Sequence, residues 1–232
     1  MTAATVGRMT ALPPPRARGA TRVLLVRHGQ SEWNALGRWQ GQADPPLSDV
    51  GRAQARSAAR SIGAVDAIVS SDLQRALETA AIISGELGIG PVVVEPALRE
   101  RDAGEWSGLT RAEIERQYPG WLTPLGDKHS AFSPASDGAR RPPGWEPDES
   151  VLARALAALG NIRASIGDGD VLAVTHGGLI YTVEHHLSAT VSRLANGEGR
   201  WLEVDDDDGL TLGERVLLVD EHDAPVTTPK QL

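Results

Sequence analysis

Residues 22–29 of the chain are Arg-Val-Leu-Leu-Val-Arg-His-Gly. The apolar run at their centre is short and unbroken by polar residues, which is typical of a strand that is buried on both faces of a parallel sheet. It runs directly into a basic pair, Arg27 and His28, and then into a glycine, which lets another backbone approach closely. Because sites in parallel sheets lie beyond the carboxyl ends of the strands, this segment predicts both a sheet and a site.

A second segment repeats this arrangement farther along the chain. Residues 171–178 are Val-Leu-Ala-Val-Thr-His-Gly-Gly, so this apolar run ends in His176. If the two strands are neighbours in the sheet, the imidazoles of His28 and His176 face each other across one pocket.

The rest of the chain alternates between apolar runs and helical patterns. We expect strands at 67–69 and 92–94, edge strands at 200–204 and 215–219, and helices over about 48–62, 73–87, 111–118, 150–166 and 178–187. Ser48 is a candidate helix N-cap, and Thr110 with Glu113 has the spacing of a capping box. The alternation predicts an α/β fold, a three-layer sandwich in which helices flank a mostly parallel central sheet.

The length of 232 residues fits one α/β domain. Residues 1–20 are rich in Pro, Arg and Ala and predict a disordered tail, in which Met9 is an alternative start. We expect a single domain over 21–220, with an insertion or lid over the site at about 106–150, and a loose C-terminal tail over 221–232.

Composition excludes several classes of partner and chemistry. The net charge is −8, which argues against nucleic acid or an anionic membrane as partner, and no apolar run is long enough to span a bilayer. The absence of cysteine excludes disulfides, thiolate metal sites and a Cys nucleophile. With no apolar segment typical of a signal peptide, we expect a cytoplasmic protein.

Four predicted strand ends together supply five polar side chains. Arg27 and His28 follow the first strand, Arg75 begins the helix after the second, Glu100 follows the third and His176 ends the fourth. Two Arg and two His form a cationic cup that suits a phosphoryl dianion, since transfer of that group depends on positioning and electrostatic stabilisation. One neutral His is a candidate nucleophile, and the carboxyl is a candidate proton donor.

Five sequence blocks in this order resemble the histidine phosphatase superfamily, also called phosphoglycerate-mutase-like. They lie at 25–34 (Leu-Val-Arg-His-Gly-Gln-Ser-Glu-Trp-Asn), 41–51, 70–80, 98–108 and 175–178, so that the resemblance spans about residues 22–187. It implies that His28 becomes phosphohistidine, that Arg27, Arg75 and His176 hold the phosphoryl oxygens, and that Glu100 donates the proton. Further implied contacts with phosphate or substrate are Asn34, Gln40, Gly41, Arg101 and Gly177. No metal and no cofactor are implied, and a homodimer is possible because dimers occur in the family.

The blocks favour a phosphatase over a mutase. Cofactor-dependent mutases of the family carry Arg-His-Tyr after the acid and an Asn after the second His-Gly, whereas here residues 101–104 are Arg-Asp-Ala-Gly and 177–180 are Gly-Gly-Leu-Ile. We therefore expect metal-independent hydrolysis of a small phosphorylated metabolite. The alternatives are a phosphoglycerate mutase primed by 2,3-bisphosphoglycerate and a non-catalytic protein that binds a phosphorylated ligand.

Some residues beside the motifs keep two interpretations. Arg101 either binds substrate or pairs with Glu105 or Asp102. Trp33, Trp39 and Trp106 either wall the pocket or contribute ordinary packing.

Overall fold

The computed structural model of the chain describes residues 19–122, 140–189, 192–207 and 209–229. The strands are β1 (Thr21–Arg27), β2 (Ala67–Ser70), β3 (Val93–Val94), β4 (Gly169–Thr175), β5 (Glu198–Val204) and β6 (Leu210–Leu217). The helices are α1 (Glu32–Ala35), α2 (Asp49–Ser61), α3 (Gln74–Leu87), α4 (Arg111–Gln117), α5 (Asp148–Ile166) and α6 (Gly177–His186), with short 3₁₀ turns at Pro96–Leu98 and Gly104–Trp106.

The strands form one sheet in the order β3-β2-β4-β1-β5-β6. The first four strands of that order are mutually parallel, and β5 and β6 extend the sheet in antiparallel pairing. The register aligns Arg27 at the end of β1 with Thr175 at the end of β4. The two histidine-bearing strand ends are therefore neighbours, as the sequence predicts.

Two apolar layers separate the sheet from the helices. On one face, alternate side chains such as Val23 and Leu25 pack with α5 and α6. On the other face, Leu24 and Val26 pack with α2 and α3. Since β1 is buried along its whole length, both faces of the central sheet are covered. The three-layer α/β sandwich is confirmed.

The helix starts follow local chemistry. Ser48 caps α2 by accepting a hydrogen bond from the Gly51 N–H, and Thr110 and Glu113 form the predicted capping box of α4. Helix α5 begins at Asp148, two residues before the predicted start, because two acidic residues in its first turn suit the positive end of the helix dipole.

The carboxyl-terminal third differs most from expectation. Strand β5 is not an edge strand, because it lies between β1 and β6. Strand β6 begins at Leu210, five residues before the apolar run, since pairing with β5 holds polar residues in extended form up to the hairpin turn. The segment after Asp220, expected to be loose, has contacts with α2 through to Thr227. Residues 1–18 of the expected N-terminal tail and 123–139 of the expected lid lie outside the described residues.

A buried ion cluster joins α6 to the hairpin. The Glu184 side chain is fully buried, and its Oε1 accepts from Nε of Arg200 at 2.6 Å and from Nε of Arg215 at 2.7 Å. Its Oε2 accepts from Nη2 of Arg215 at 2.5 Å. The carboxylate thus pairs with one guanidinium from each strand, and α6, whose N-cap is His176, is fixed to the antiparallel part of the sheet.

Replacing Glu184 by Gln should lower the free energy of unfolding by about 3–5 kcal/mol, because two poorly hydrated guanidiniums lose the buried carboxylate that they share. Urea unfolding followed by circular dichroism measures this change. The matched control is Glu214→Gln on the exposed face of β6, for which we expect a change within about 0.5 kcal/mol. Equal effects of the two substitutions would refute the structural role of the cluster.

Candidate catalytic site

The site begins where β1 and β4 end. The His28 N–H donates to the Thr175 carbonyl at 3.0 Å, which continues the parallel ladder one residue beyond the strands. The rings of His28 and His176 then lie edge to face, with centroids 5.1 Å apart. Both side chains are buried. The two imidazoles therefore lie against each other at neighbouring strand ends.

The hydrogen bonds of His28 define its tautomer. Its Nδ1 lies 2.6 Å from the Gly29 carbonyl oxygen, which only accepts, so Nδ1 carries the proton. Its Nε2 accepts from Nε of Arg75 at 3.2 Å. Burial lowers the pKa of His28 well below its usual value, and the charges of Arg75 and Arg27 lower it further. The ring is therefore neutral, with its lone pair on Nε2.

His176 shares these surroundings. Its Nε2 lies 3.0 Å from the Ser71 hydroxyl, whereas its buried Nδ1 has no partner among the described residues. Burial lowers the pKa of His176 well below its usual value, with further lowering from Arg75 and from His28. Nδ1 is thus a polar atom that a group entering the site can satisfy.

The two arginines are held by carbonyl oxygens. Arg75 is fully buried, and its two terminal nitrogens donate to the carbonyls of Ala43 and Gly41 at 2.7 and 2.9 Å. Burial lowers the pKa of Arg75 to about 10, so the guanidinium stays charged at neutral pH. Arg27 donates through Nη1 to the Leu194 carbonyl at 2.9 Å, and its buried Nε has no partner within the described part of the chain.

Glu100 is the carboxylate at the end of this group of cations. Its Oε1 accepts from the Arg101 N–H at 2.7 Å, and its Oε2 accepts from the Gly178 N–H at 3.1 Å. These bonds tie Glu100 to the first turn of α6, next to His176. A carboxylate offers about four lone-pair positions, so two backbone donors leave room for a proton.

The remaining predicted contacts fall into two groups, those available to contact a ligand and those that support other site residues. Asn34 belongs to the first, since its Oδ1 accepts from the Ser31 N–H while its buried Nδ2 has no partner among the described residues. Gly177, at the start of α6, also belongs there, because an added Cβ would lie 3.4 Å from the Arg27 guanidinium. Gln40 and Gly41 instead act as supports: the Gln40 side chain accepts from Ser31 and the Gly41 carbonyl accepts from Arg75.

Arg101 has partners that neither sequence interpretation names. Its guanidinium pairs with Asp148 at 2.6 Å and donates to the Glu146 carbonyl and to the Thr182 hydroxyl. It is therefore not paired with Glu105 or Asp102. The sequence could not indicate this, because Asp148 and Thr182 lie on separate helices far along the chain.

Three of the tryptophans form a cluster beside the site. Trp39, Trp106 and Trp145 pack edge to face, with ring centroids 5.4–5.9 Å apart. Trp39 and Trp106 are buried in this small core, which supports packing rather than wall positions for them. The cluster fixes the segments that carry Gly41 and Ala103 against each other.

Close backbone contact fixes the loop that follows His28. A Cβ at Gly29 would lie 2.5 Å from the Gly51 carbonyl oxygen, and a Cβ at Gly51 would lie 2.0 Å from the Gln30 carbonyl oxygen. Neither position accepts a larger residue without backbone displacement. The two glycines therefore allow α2 to approach the loop that presents His28.

Several residues that support the site were not predicted from the sequence. Ser71 contacts His176, Thr79 accepts from the Gly29 N–H, and Asn196 donates to the His28 carbonyl. Ser71 and Thr79 lie inside the third block, where position alone indicates them. Asn196 has no such signal, because only the pairing of β5 with β1 brings it to the site.

The site thus brings together the neutral imidazole of His28, two guanidiniums, one carboxyl and buried nitrogens that have no partner among the described residues. This set suits a phosphoryl group better than a neutral ligand. Among the described residues, no group of three or more His, Asp or Glu side chains is placed to hold a metal ion. In the same part of the chain, no helix has the length and apolar character needed to cross a bilayer.

Comparison with known proteins identifies the family of this fold and sequence. Residues 23–207 match the family model of the histidine phosphatase superfamily (branch 1). The chain is 37% identical over 168 residues to the glucosyl-3-phosphoglycerate phosphatase of Mycolicibacterium vanbaalenii, with 68% of this chain and 70% of that protein covered. It is 34% identical over 166 residues to the metal-independent phosphoserine phosphatase of Arabidopsis thaliana, with 70% of this chain and 67% of that protein covered.

A solved structure agrees with these relatives. The native structure of a mycobacterial glucosyl-3-phosphoglycerate phosphatase has a TM-score of 0.69 and 30% sequence identity, and the alignment covers 87% of this chain and 100% of that chain. The resemblance predicted from the five blocks is confirmed.

The two buried imidazoles should make stability depend on pH. In the unfolded chain a His binds a proton near pH 6.5, whereas the lowered pKa keeps His28 and His176 neutral in the folded state. The unfolded state thus binds more protons below pH 6.5, and the free energy of unfolding falls as the pH falls, by up to about 1.4 kcal/mol per pH unit for each His.

Chemical denaturation between pH 7 and pH 5 measures this dependence. His176→Gln removes one of the two buried imidazoles and should make the fall shallower by up to about 1.4 kcal/mol per pH unit. His222→Gln, at an exposed position, controls for the loss of an imidazole as such. A slope for His176→Gln equal to that of the unsubstituted protein would contradict the neutral state of His176.

Proposed function

We propose that this chain, which belongs to branch 1 of the histidine phosphatase superfamily, hydrolyses a small phosphate monoester through a phosphorylated His28. The chain is a phosphatase of this superfamily, in line with the named phosphatases among its relatives. The roles given below to individual residues are our proposal. The observation that carries it is the neutral Nε2 of His28, held within 3.2 Å of the Arg75 guanidinium.

The first step forms the phosphohistidine. Nε2 of His28 attacks phosphorus, the bond between phosphorus and the ester oxygen breaks, and the departing oxygen takes a proton from Glu100. The guanidiniums of Arg27 and Arg75 balance the charge on the phosphoryl oxygens, and His176 and Asn34 donate through their unpartnered nitrogens. Because Nδ1 of His28 donates to the Gly29 carbonyl, the positive charge that develops on the ring is stabilised.

The second step returns the enzyme to its starting state. Water attacks phosphorus and gives a proton to the Glu100 carboxylate, the bond between phosphorus and Nε2 breaks, and inorganic phosphate leaves. One carboxyl thus acts first as acid and then as base. Its bonds to the Arg101 and Gly178 N–H groups hold it at the first turn of α6, next to His176.

The substrate belongs to the class of small phosphorylated metabolites. Glucosyl-3-phosphoglycerate and phosphoserine, on which the named relatives act, are the first candidates for this chain. We further infer from the acidic composition and the site chemistry that nucleic acid and membranes are not partners, that the protein is cytoplasmic and that no metal or cofactor takes part. A homodimer stays a prediction.

Phosphate release from a panel of monoesters, with EDTA present, tests the reaction. His28→Ala should lower kcat/KM at least about a thousandfold and abolish covalent labelling by phosphate, because the nucleophilic nitrogen is gone. His222→Ala at an exposed position is the control and should retain wild-type rates.

The same assay separates the alternatives. Isomerisation of 3-phosphoglycerate that requires 2,3-bisphosphoglycerate, without phosphate release, would indicate a mutase. Binding of phosphate monoesters with neither reaction would indicate the non-catalytic alternative. Phosphate release that survives His28→Ala would exclude the phosphohistidine.

The role of Glu100 is tested by its dependence on the leaving group. Glu100→Gln should slow hydrolysis of an alkyl phosphate by about 10²–10³-fold, because the alkoxide then departs without a proton. With 4-nitrophenyl phosphate, whose leaving group needs no proton, the loss should stay below about tenfold. Equal losses for the two esters would show that Glu100 is not the acid.

A further inference from the structure

We propose that Asn196 and Thr227 are positioning residues for the nucleophile, so that the C-terminal segment contributes to catalysis from outside the site. This inference rests on the proposed function, because it assumes that His28 is the nucleophile. It begins from the fully buried Asn196, which no sequence block includes.

Asn196 holds two site residues at once. Its Nδ2 donates to the His28 carbonyl at 3.0 Å and to Oδ1 of Asn34 at 3.3 Å. Because Oδ1 of Asn34 also accepts from the Ser31 N–H, the amide of Asn34 is fixed with its oxygen toward Ser31 and Asn196. Its Nδ2, which has no partner among the described residues, is left as a donor for the phosphoryl group.

Thr227 holds Asn196 in turn. The Thr227 hydroxyl donates to Oδ1 of Asn196 at 3.0 Å and accepts from Nε2 of Gln54 at 2.9 Å. The Thr227 carbonyl also accepts from the Asn196 N–H at 2.8 Å. Oε1 of Gln54 accepts from the Gln30 N–H at 2.8 Å, on the loop just after the nucleophile.

These bonds allow one assignment of donors and acceptors. The His28 carbonyl only accepts and the Gln30 N–H only donates, so both amides are oriented from the loop that carries the nucleophile. Asn196 then presents Oδ1 as an acceptor, and Gln54 presents Nε2 as a donor, to the Thr227 hydroxyl. The Thr227 hydroxyl bonds both amides, and these amides hold the loop that carries the nucleophile at the His28 carbonyl and at the Gln30 N–H.

Thr227→Val tests the proposal, because valine keeps the shape of threonine and the main-chain bond but removes the hydroxyl. We expect kcat to fall about tenfold for phosphate release from 4-nitrophenyl phosphate, since a displaced nucleophile loses transition-state stabilisation. KM should change less than about twofold, because Asn34 keeps its bond to Ser31. Inhibition by vanadate, which imitates the transition state, should weaken about as much as kcat.

The neighbouring residue supplies a matched control. Thr228 is exposed, so Thr228→Val should leave kcat, KM and vanadate inhibition unchanged. Thr227→Ser keeps a hydroxyl and should retain most of kcat. Thermal unfolding of all three variants, with assays well below each midpoint, separates positioning from loss of folded protein.

Each outcome decides the inference. A wild-type kcat for Thr227→Val, or an equal loss for Thr228→Val, would overturn it while leaving the phosphatase proposal intact. A loss of kcat that disappears when the variant is fully folded would also overturn it. If phosphate release by the unsubstituted protein does not depend on His28, the proposed function fails, and the positioning role fails with it.

Discussion

Burying several basic side chains around one carboxylate is the constraint on which this structure depends. Arg27, Arg75, His28 and His176 are all withdrawn from water at the carboxyl ends of adjacent strands. Removing a charge from water is costly, so each buried group must either form hydrogen bonds that stabilise its charge or become neutral. The guanidiniums donate to backbone carbonyls and remain charged, whereas the imidazoles lose their protons. This division supplies both the neutral nitrogen that we propose as nucleophile and the positive charge that a phosphoryl group requires.

The residues of the site could be predicted from the sequence better than the residues that support them. His28 and His176 follow apolar runs directly, so a parallel sheet alone brings them together, and Arg75 and Glu100 are indicated by their place in the blocks. Most helices were predictable to within about two residues because capping residues such as Ser48 and Thr110 act locally. The positions of Arg101 and Asn196 depend on partners far away in the chain, and no local pattern encodes those pairings.

The antiparallel hairpin shows the same limit at the level of the fold. Its second strand contains many polar residues and is defined by pairing with its neighbour rather than by its own periodicity. The hairpin anchors the helix that begins beside His176, because the buried Glu184 on that helix pairs with Arg200 and Arg215. The parallel part of the sheet places the groups that we propose to react, and the antiparallel part fixes α6, which orients His176 and Glu100.

Residues 220–229 are attached to the loop after His28 through Gln54 and Asn196. This attachment has a consequence for protein engineering. Libraries built only on positions that line a pocket would leave out Gln54 and Thr227, although Gln54 bonds the Gln30 N–H and Thr227 bonds Gln54 in turn. On the proposed role of Thr227, changes in this segment alter turnover without altering which ester is selected, since none of its described side chains belongs to the proposed substrate contacts. The proposed positioning role thus implies that rate and specificity can diverge separately in this scaffold.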